Sequence, residues 1–132
     1  MDPYVDLKNQ YEAKNSLEDA AQSGTTAANG SAVDCDSYRG PIHAVANVGA
    51  VTGTPDSFIV TVKLQESDTS GGTYTDLETQ STGVISAAAG CVMVRGIRTK
   101  RYVRAVATPA FVGGTSPATT VSANVLGRKA SF

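Results

Sequence analysis

The residues that could perform acid–base or nucleophilic chemistry in this sequence are few and widely spaced. The chain has 132 residues and one histidine, His43, which a Ser–His–Asp arrangement would need as its general base. The sequence around it, residues 41–45, predicts a strand and not the sharp turn that presents a nucleophilic serine. Asp68 and Asp76 flank a predicted hairpin, but their spacing fits no EF-hand loop, and aspartate is common in turns. We therefore predict no catalytic residues and a protein that is not an enzyme.

The two cysteines, Cys35 and Cys91, fall in different predicted strands. A disulfide across a sandwich is geometrically possible, but without a signal peptide the chain is expected to mature in a reducing cytoplasm. Two buried free thiols, packed as small hydrophobic groups, are therefore expected. No Cys-x-x-Cys is present, one histidine cannot complete a zinc site, and no phosphate-binding loop occurs, so we predict neither a metal nor a cofactor.

The composition favours strands as the elements that position these residues. Ala 18, Thr 15, Gly 13 and Ser 12 together make up 58 of the 132 residues, and Val 15 outnumbers Leu 5 and Ile 4. Valine and threonine suit the pleated, half-buried surface of a sheet, whereas leucine is the better helix former. A chain of this length suits one domain. These proportions predict a single all-β domain.

The pattern along the chain predicts short strands separated by turns. The segment Ser57–Glu66 alternates most clearly, with apolar side chains at every second position, which marks a strand with one face in the core. Arg39-Gly40-Pro41 is a turn signal between the first two strands. Seven strands are predicted, at Ala32–Tyr38, Ile42–Val48, Ser57–Glu66, Thr73–Glu78, Cys91–Ile97, Arg101–Thr108 and Ala118–Leu126, with an eighth in Gly24–Ala28 or Gly83–Ala87. Such spacing predicts a single antiparallel β-sandwich of jelly-roll type over residues 23–132.

Residues 1–22 differ from the rest of the chain, since they carry five of the 12 acidic residues and no glycine or threonine. Tyr4, Leu7 and Tyr11 recur at the spacing that places side chains on one face of a helix. We interpret the segment as an N-terminal arm that becomes helical or extended when it docks. The alternative is a frayed terminus.

Charge is distributed unevenly between the two parts of the chain. Residues 1–78 carry all 12 acidic residues and 4 basic ones, while residues 79–132 carry 7 basic residues and no acidic one. The charges can cancel within the fold between neighbouring strands, or they can form patches that meet another subunit or an acidic protein. Only Tyr102 is interleaved with the main basic cluster, so nucleic acid is not expected, and no apolar run is long enough for a membrane span. That cluster consists of Arg95, Arg98, Lys100, Arg101 and Arg104.

Three stretches, taken in order, resemble a family of head decoration (cement) proteins of tailed bacteriophages and prophages. The first is Gly30–Tyr38, with Gly-x-x-Val-Asp and a tyrosine four residues after the aspartate. The second is Phe58–Asp68, which ends in Leu-Gln-Glu-Ser-Asp before a glycine-rich turn. The third is Gly96–Arg104, followed near the end of the chain by Val125-Leu126-Gly127. The resemblance covers residues 25–128.

The resemblance implies a jelly-roll sandwich that binds the exterior of the capsid as a homotrimer, with the major capsid protein as its partner. It implies a virion protein that is assembled in the cytoplasm of a host bacterium. We expect Tyr4, Leu7 and Tyr11 to anchor the arm on capsid subunits or an adjacent protomer, and the basic cluster to lie partly at subunit boundaries. Deleting residues 1–22 should then abolish capsid binding and leave the fold intact.

Two other classes of function stay open at this point. Another virion part, such as a head–tail connector or a tail accessory protein, would share a small β-fold and differ in copy number and ring symmetry. An adhesive or carbohydrate-binding module would need exposed aromatic side chains, for which Tyr74 and Phe111 are the candidates at loop edges.

Overall fold

The computed structural model describes residues 7–130, and these residues form one short helix and eleven strands. The helix α1 is Leu7–Gln10. The strands are β1 (Tyr11–Ser23), β2 (Ala28–Asn29), β3 (Val33–Asp34), β4 (Tyr38–Val48), β5 (Ser57–Ser67), β6 (Thr75–Asp76), β7 (Thr79–Ser81), β8 (Gly83–Ile85), β9 (Cys91–Ile97), β10 (Tyr102–Val112) and β11 (Ala118–Lys129).

Two antiparallel sheets pack face to face. Sheet I has the strand order β1-β11-β4-β9-β7, and sheet II has the order β2-β10-β5-β6, with β3 also on β10 and β8 also on β5. The chain passes back and forth between the sheets, so that β1 lies beside β11 and β4 lies between β11 and β9. This path is that of a jelly roll, and the predicted all-β sandwich is confirmed.

Alternation along the long strands places small and branched aliphatic side chains between the sheets. On β5, Val60, Val62 and Leu64 are fully buried, and their neighbours at 59, 61 and 63 face outward. The β5 strand pairs along its whole length with β10, in register from Tyr102↔Ser67 to Val112↔Ser57. Alanines occupy many inward positions of the central strands, which lets the two sheets approach closely, and this explains the alanine-rich composition.

The N-terminal segment differs from the predicted arm. Its helix spans only Leu7–Gln10, and Tyr11–Ser23 forms β1, the edge strand of sheet I, paired with β11 from Tyr11↔Arg128 to Ser23↔Ala118. Tyr4 lies outside the described residues. The helical spacing does not extend through Tyr11, which begins β1, and the two register shifts of β1 break the period of two that would have indicated a strand.

Irregularities in β1 attach this strand to both sheets. Its register shifts between Asn15 and Leu17 and again between Leu17 and Ala20, and consecutive residues Ser16 and Leu17 are both buried. The Ser16 hydroxyl donates to the Ser31 carbonyl at 2.9 Å and accepts from the Ala105 amide of β10 at 3.0 Å. A bulge thus lets β1 bond across the edge of the sandwich, as well as along β11.

Two local predictions are corrected by the structure. The turn expected at Arg39-Gly40-Pro41 is part of β4, where Gly40 has a φ of 74° and the pairing with β11 shifts register. Both thiols are free, but only Cys35 is buried, whereas Cys91 is exposed on the outer face of sheet I. Burial raises the pKa of the Cys35 thiol to about 11.

Candidate interaction surfaces

The turn between β9 and β10 is held by a buried carboxylate. The side chain of Glu66, 3% exposed at the end of β5, accepts hydrogen bonds from the Thr99 amide and the Thr99 hydroxyl, each at 2.8 Å. It also accepts from the Lys100 amide at 3.2 Å. The three donors satisfy the carboxylate that burial would otherwise destabilise. Lys100 is thereby fixed through its backbone.

Arg98 reinforces the same turn and joins it to β4. Its guanidinium donates to the Lys100 carbonyl and to the Tyr38 carbonyl, both at 3.1 Å. The ring of Tyr38 is buried, and its hydroxyl donates to Glu12 of β1. Burial, followed by the bond to Glu12, raises the pKa of Tyr38. Arg98 therefore binds main-chain oxygens within its own fold.

Arg101 and Arg104 also have partners within the chain. Arg101 forms a two-point ion pair with Asp34, with N···O distances of 3.0 and 2.8 Å. Arg104 donates to the side-chain oxygen of Gln65 and lies 4.3 Å from the centre of the Tyr74 ring. Arg98, Arg101 and Arg104 thus all have partners within the fold, and the carboxylate of Asp34 neutralises the charge of Arg101. The expected contacts of the basic cluster with other subunits stay a prediction.

The Asp34–Arg101 pair provides a pH-dependent contribution to stability. The Arg101 guanidinium, followed by the Asp36 amide, lowers the pKa of Asp34 to about 2. Because the folded-state pKa is below that of the unfolded chain, the stabilising effect is present above pH 4 and is lost as the pH falls toward 2. We expect Asp34→Asn to be slightly less stable than the wild type at pH 7 and equal to it near pH 2.

Urea titrations of both proteins at pH 7, 4 and 2 measure this difference, with Asp36→Asn as the control for the loss of one exposed charge. Because both partners are exposed, the difference should shrink in 1 M salt. If the difference in unfolding free energy between the wild type and Asp34→Asn were the same at pH 2 as at pH 7, the ionised pair would not be its cause.

The three stretches that carry the family resemblance meet at one end of the sandwich. The first supplies Asp34 and Tyr38, the second supplies Glu66, and the third supplies Arg98 and Arg101. Hydrogen bonds from the side chains of Asp34, Glu66, Arg98 and Arg101, and to the backbone carbonyl of Tyr38, link β3, β4, β5 and the turn before β10. These residues form a structural network, which we call the end network, and their spacing in the sequence reflects the geometry of that end.

A groove lies on the outer face of sheet I. Its volume is about 420 Å³, and it is lined by side chains from α1 and from four adjacent strands. In one cross-strand row, Ala13 pairs with Leu126, Leu126 with His43, and His43 with Arg95. The lining residues are Lys8, Tyr11, Glu12, Ala13, His43, Met93 and Leu126.

A half-buried imidazole lies in the groove, and the basic side chain of Arg95 lies beside it. His43 is half-buried, and desolvation, followed by the nearby Arg95, lowers the pKa of its imidazole. The side chain of Arg95 is exposed and has no salt-bridge or hydrogen-bond partner among residues 7–130. Of the residues predicted to make contacts, Tyr11 lines this groove and Arg95 lies beside it, paired with His43, while Leu7 is the first residue of α1.

Sequence reasoning did not single out Met93 and Leu126. The signal was present, because both are large apolar side chains at outward positions of a strand, with Arg95 following Met93 and with Asn124 and Arg128 on either side of Leu126. Their proximity could not be read from the sequence, since it depends on β4 lying between β11 and β9.

Within residues 7–130, no three histidine, cysteine, aspartate or glutamate side chains gather where they could hold a metal ion. No helix in the same range has the length and apolar character needed to traverse a bilayer.

The similarity of this chain to known proteins is one of structure. No family model matches the chain, and no curated protein matches it. Among solved structures, the chain is similar to the SPBc2 prophage-derived protein YomS, with a TM-score of 0.40 and 16% sequence identity over 88% of this chain and 92% of that one. A likeness at this level does not establish a shared function.

Proposed function

We propose that this chain is a non-enzymatic structural protein of a tailed-phage virion, which binds the outer surface of the capsid as a trimer and stabilises it. The proposal rests on the ordered resemblance of Gly30–Tyr38, Phe58–Asp68 and Gly96–Arg104 to the decoration family. The three stretches also share one structural role, since residues from all of them bond to each other in the end network.

The outer surfaces of the sandwich suit a protein that binds other proteins. Large apolar side chains are exposed on both sheets, with Met93 62% and Ile97 45% exposed on sheet I and Val84 53% and Ile59 43% exposed on sheet II. A standard protein–protein interface buries on the order of 1,600 Å² in total. A small subunit that contacts both a neighbouring copy and a shell must use more than one face, and both outer faces here offer apolar contact points.

The test is the copy number of this chain relative to the major capsid protein in purified particles, measured by quantitative peptide mass spectrometry. We expect a ratio near one, or another fixed large fraction, because a decoration protein covers the shell. A few copies per particle would contradict the proposal and favour a head–tail connector or a tail accessory protein. Absence from particles would reject a virion role altogether.

A carbohydrate-binding module is the other candidate, but no structural observation favours it. Phe111 stacks on Phe58 with ring centres 6.0 Å apart, and the ring of Tyr74 is covered by Arg104. Both aromatic rings proposed for sugar stacking therefore already have partners within the chain.

A further inference from the structure

The groove on sheet I interrupts a polar surface. Outward positions of β11 on either side of Leu126 are Asn124 and Arg128, and the outward position of β4 beyond Val45 is Asn47. Within this surface, Tyr11, Leu126 and Met93 bring apolar atoms together around an open volume of about 420 Å³. Apolar surface grouped in this way and rimmed by polar residues is typical of a binding site.

The shape of the groove favours a protein side chain as its occupant over a small molecule. Sites for small molecules bury most of the ligand surface. Here Met93 is 62% exposed and Ala13 is also exposed, so one wall of the groove is open to solvent. Methionine is flexible and polarizable, and adapts to side chains that dock against it.

Charge around the groove selects the kind of segment that can dock. Lys8 lines the groove and Arg95 borders it, and neither side chain has a salt-bridge or hydrogen-bond partner among the described residues. The carboxylate of Glu12, which also lines the groove, is engaged by the Tyr38 hydroxyl and lies 3.5 Å from the ammonium of Lys14. The groove therefore presents unmatched positive charge beside an apolar floor.

From these observations we infer that the groove binds an acidic segment of the shell subunit, seating one large apolar side chain against Met93 and Leu126 with carboxylates toward Lys8 and Arg95. The inference rests on the proposed function and adds the docking face and the chemistry of the segment. Apolar anchors in a central pocket dominate binding energy, and complementary charge sets orientation and association rate.

The first test compares two variants that place a carboxylate at an exposed outward position of a strand. Met93→Glu changes the groove, and Val112→Glu, at the end of β10 and 60% exposed, is the matched control. Binding is measured on particles assembled without this chain, as bound copies against free protein concentration, after circular dichroism has verified that each variant is folded. We expect at least a tenfold loss of affinity for Met93→Glu and less than a twofold change for Val112→Glu.

The second test addresses the charge of the segment. Arg95→Glu should weaken binding at low salt, Arg95→Lys should retain it, and the difference between the two should diminish in high salt. If wild-type protein binds particles and Met93→Glu binds equally well, the docking face is wrong and the proposed function survives. If Arg95→Glu binds as tightly as Arg95→Lys, the acidic segment is wrong. If wild-type protein does not bind particles at all, both proposals are rejected.

Discussion

Removal of residues 1–22 is expected to abolish cooperative folding, which reverses the expectation from the sequence. The deletion removes nearly all of β1, including the buried side chain of Leu17 and nine of its ten register pairs with β11. It also removes Ser16, which bonds to Ser31 and Ala105, and Glu12, which accepts from the buried Tyr38 hydroxyl.

The size of the effect follows from these losses. Truncating one buried leucine costs about 2–5 kcal/mol, and a polar group left buried without a partner costs about 1–3 kcal/mol more. Since small domains are stable by only about 5–15 kcal/mol, losing the whole strand should leave no stable fold.

The matched control for this deletion is the removal of residues 1–10, which takes away α1 and leaves β1 complete. This shorter deletion should unfold in urea with the same cooperativity as the full chain, followed by circular dichroism. If the chain lacking residues 1–22 showed an unchanged unfolding transition, β1 would be an accessory to the fold. Residues 1–22 would then be an arm separate from the fold, as the sequence alone predicted.

Replacing Gly127 by alanine is expected to destabilise the protein by about 1–3 kcal/mol, and replacing it by valine by more. A β-carbon at position 127 would lie 2.2 Å from Cδ2 and 2.3 Å from Cγ of the Tyr38 ring, well inside contact distance. Tyr38 is 1% exposed and tied to Glu12 by its hydroxyl, so the ring cannot move aside freely. The glycine closing the Val125-Leu126-Gly127 stretch therefore has a packing role.

The measurement is the free energy of unfolding in urea, with Gly71→Ala as the control because a β-carbon at position 71 meets no atom within 4 Å. The control should change stability by less than about 0.5 kcal/mol. In a Tyr38→Ala background, the cost of Gly127→Ala should shrink, since the obstructing ring atoms from Cγ outward are absent. An equal cost in both backgrounds would show that the ring is not the cause.

The fold was largely predictable wherever a strand has one buried face. The alternation of β5 and β11 and the valine-rich composition were sufficient to predict an antiparallel sandwich. The prediction from sequence was wrong at β1, because its bulges break the period of two. It was also wrong at Gly40, which was predicted to lie in a turn and instead lies within β4. In both places the backbone is irregular, and local pattern cannot reveal that a distant strand, β11, continues to pair with it.

The surfaces were less predictable than the fold. The basic cluster was evident from composition, but its partners come from distant positions, as Asp34 does for Arg101 and Tyr38 does for Arg98. The groove joins Tyr11 to Met93 and Leu126, more than 80 residues away along the chain. Such proximity is a property of the order of strands in sheet I, which no local feature of the sequence encodes.

The irregular course of β1 has a consequence for how the molecule behaves when crowded. An exposed, regular edge strand is a template on which further molecules can add, ending in filaments or amyloid-like aggregates. Among the described strands, the other sheet edges are short, and β1 alone is long. Its two bulges, the charged Glu18 and the left-handed backbone at Asp19, with a φ of 43°, interrupt the row of amides that an added strand would need. The protein is thereby protected from open-ended polymerisation at high local concentration.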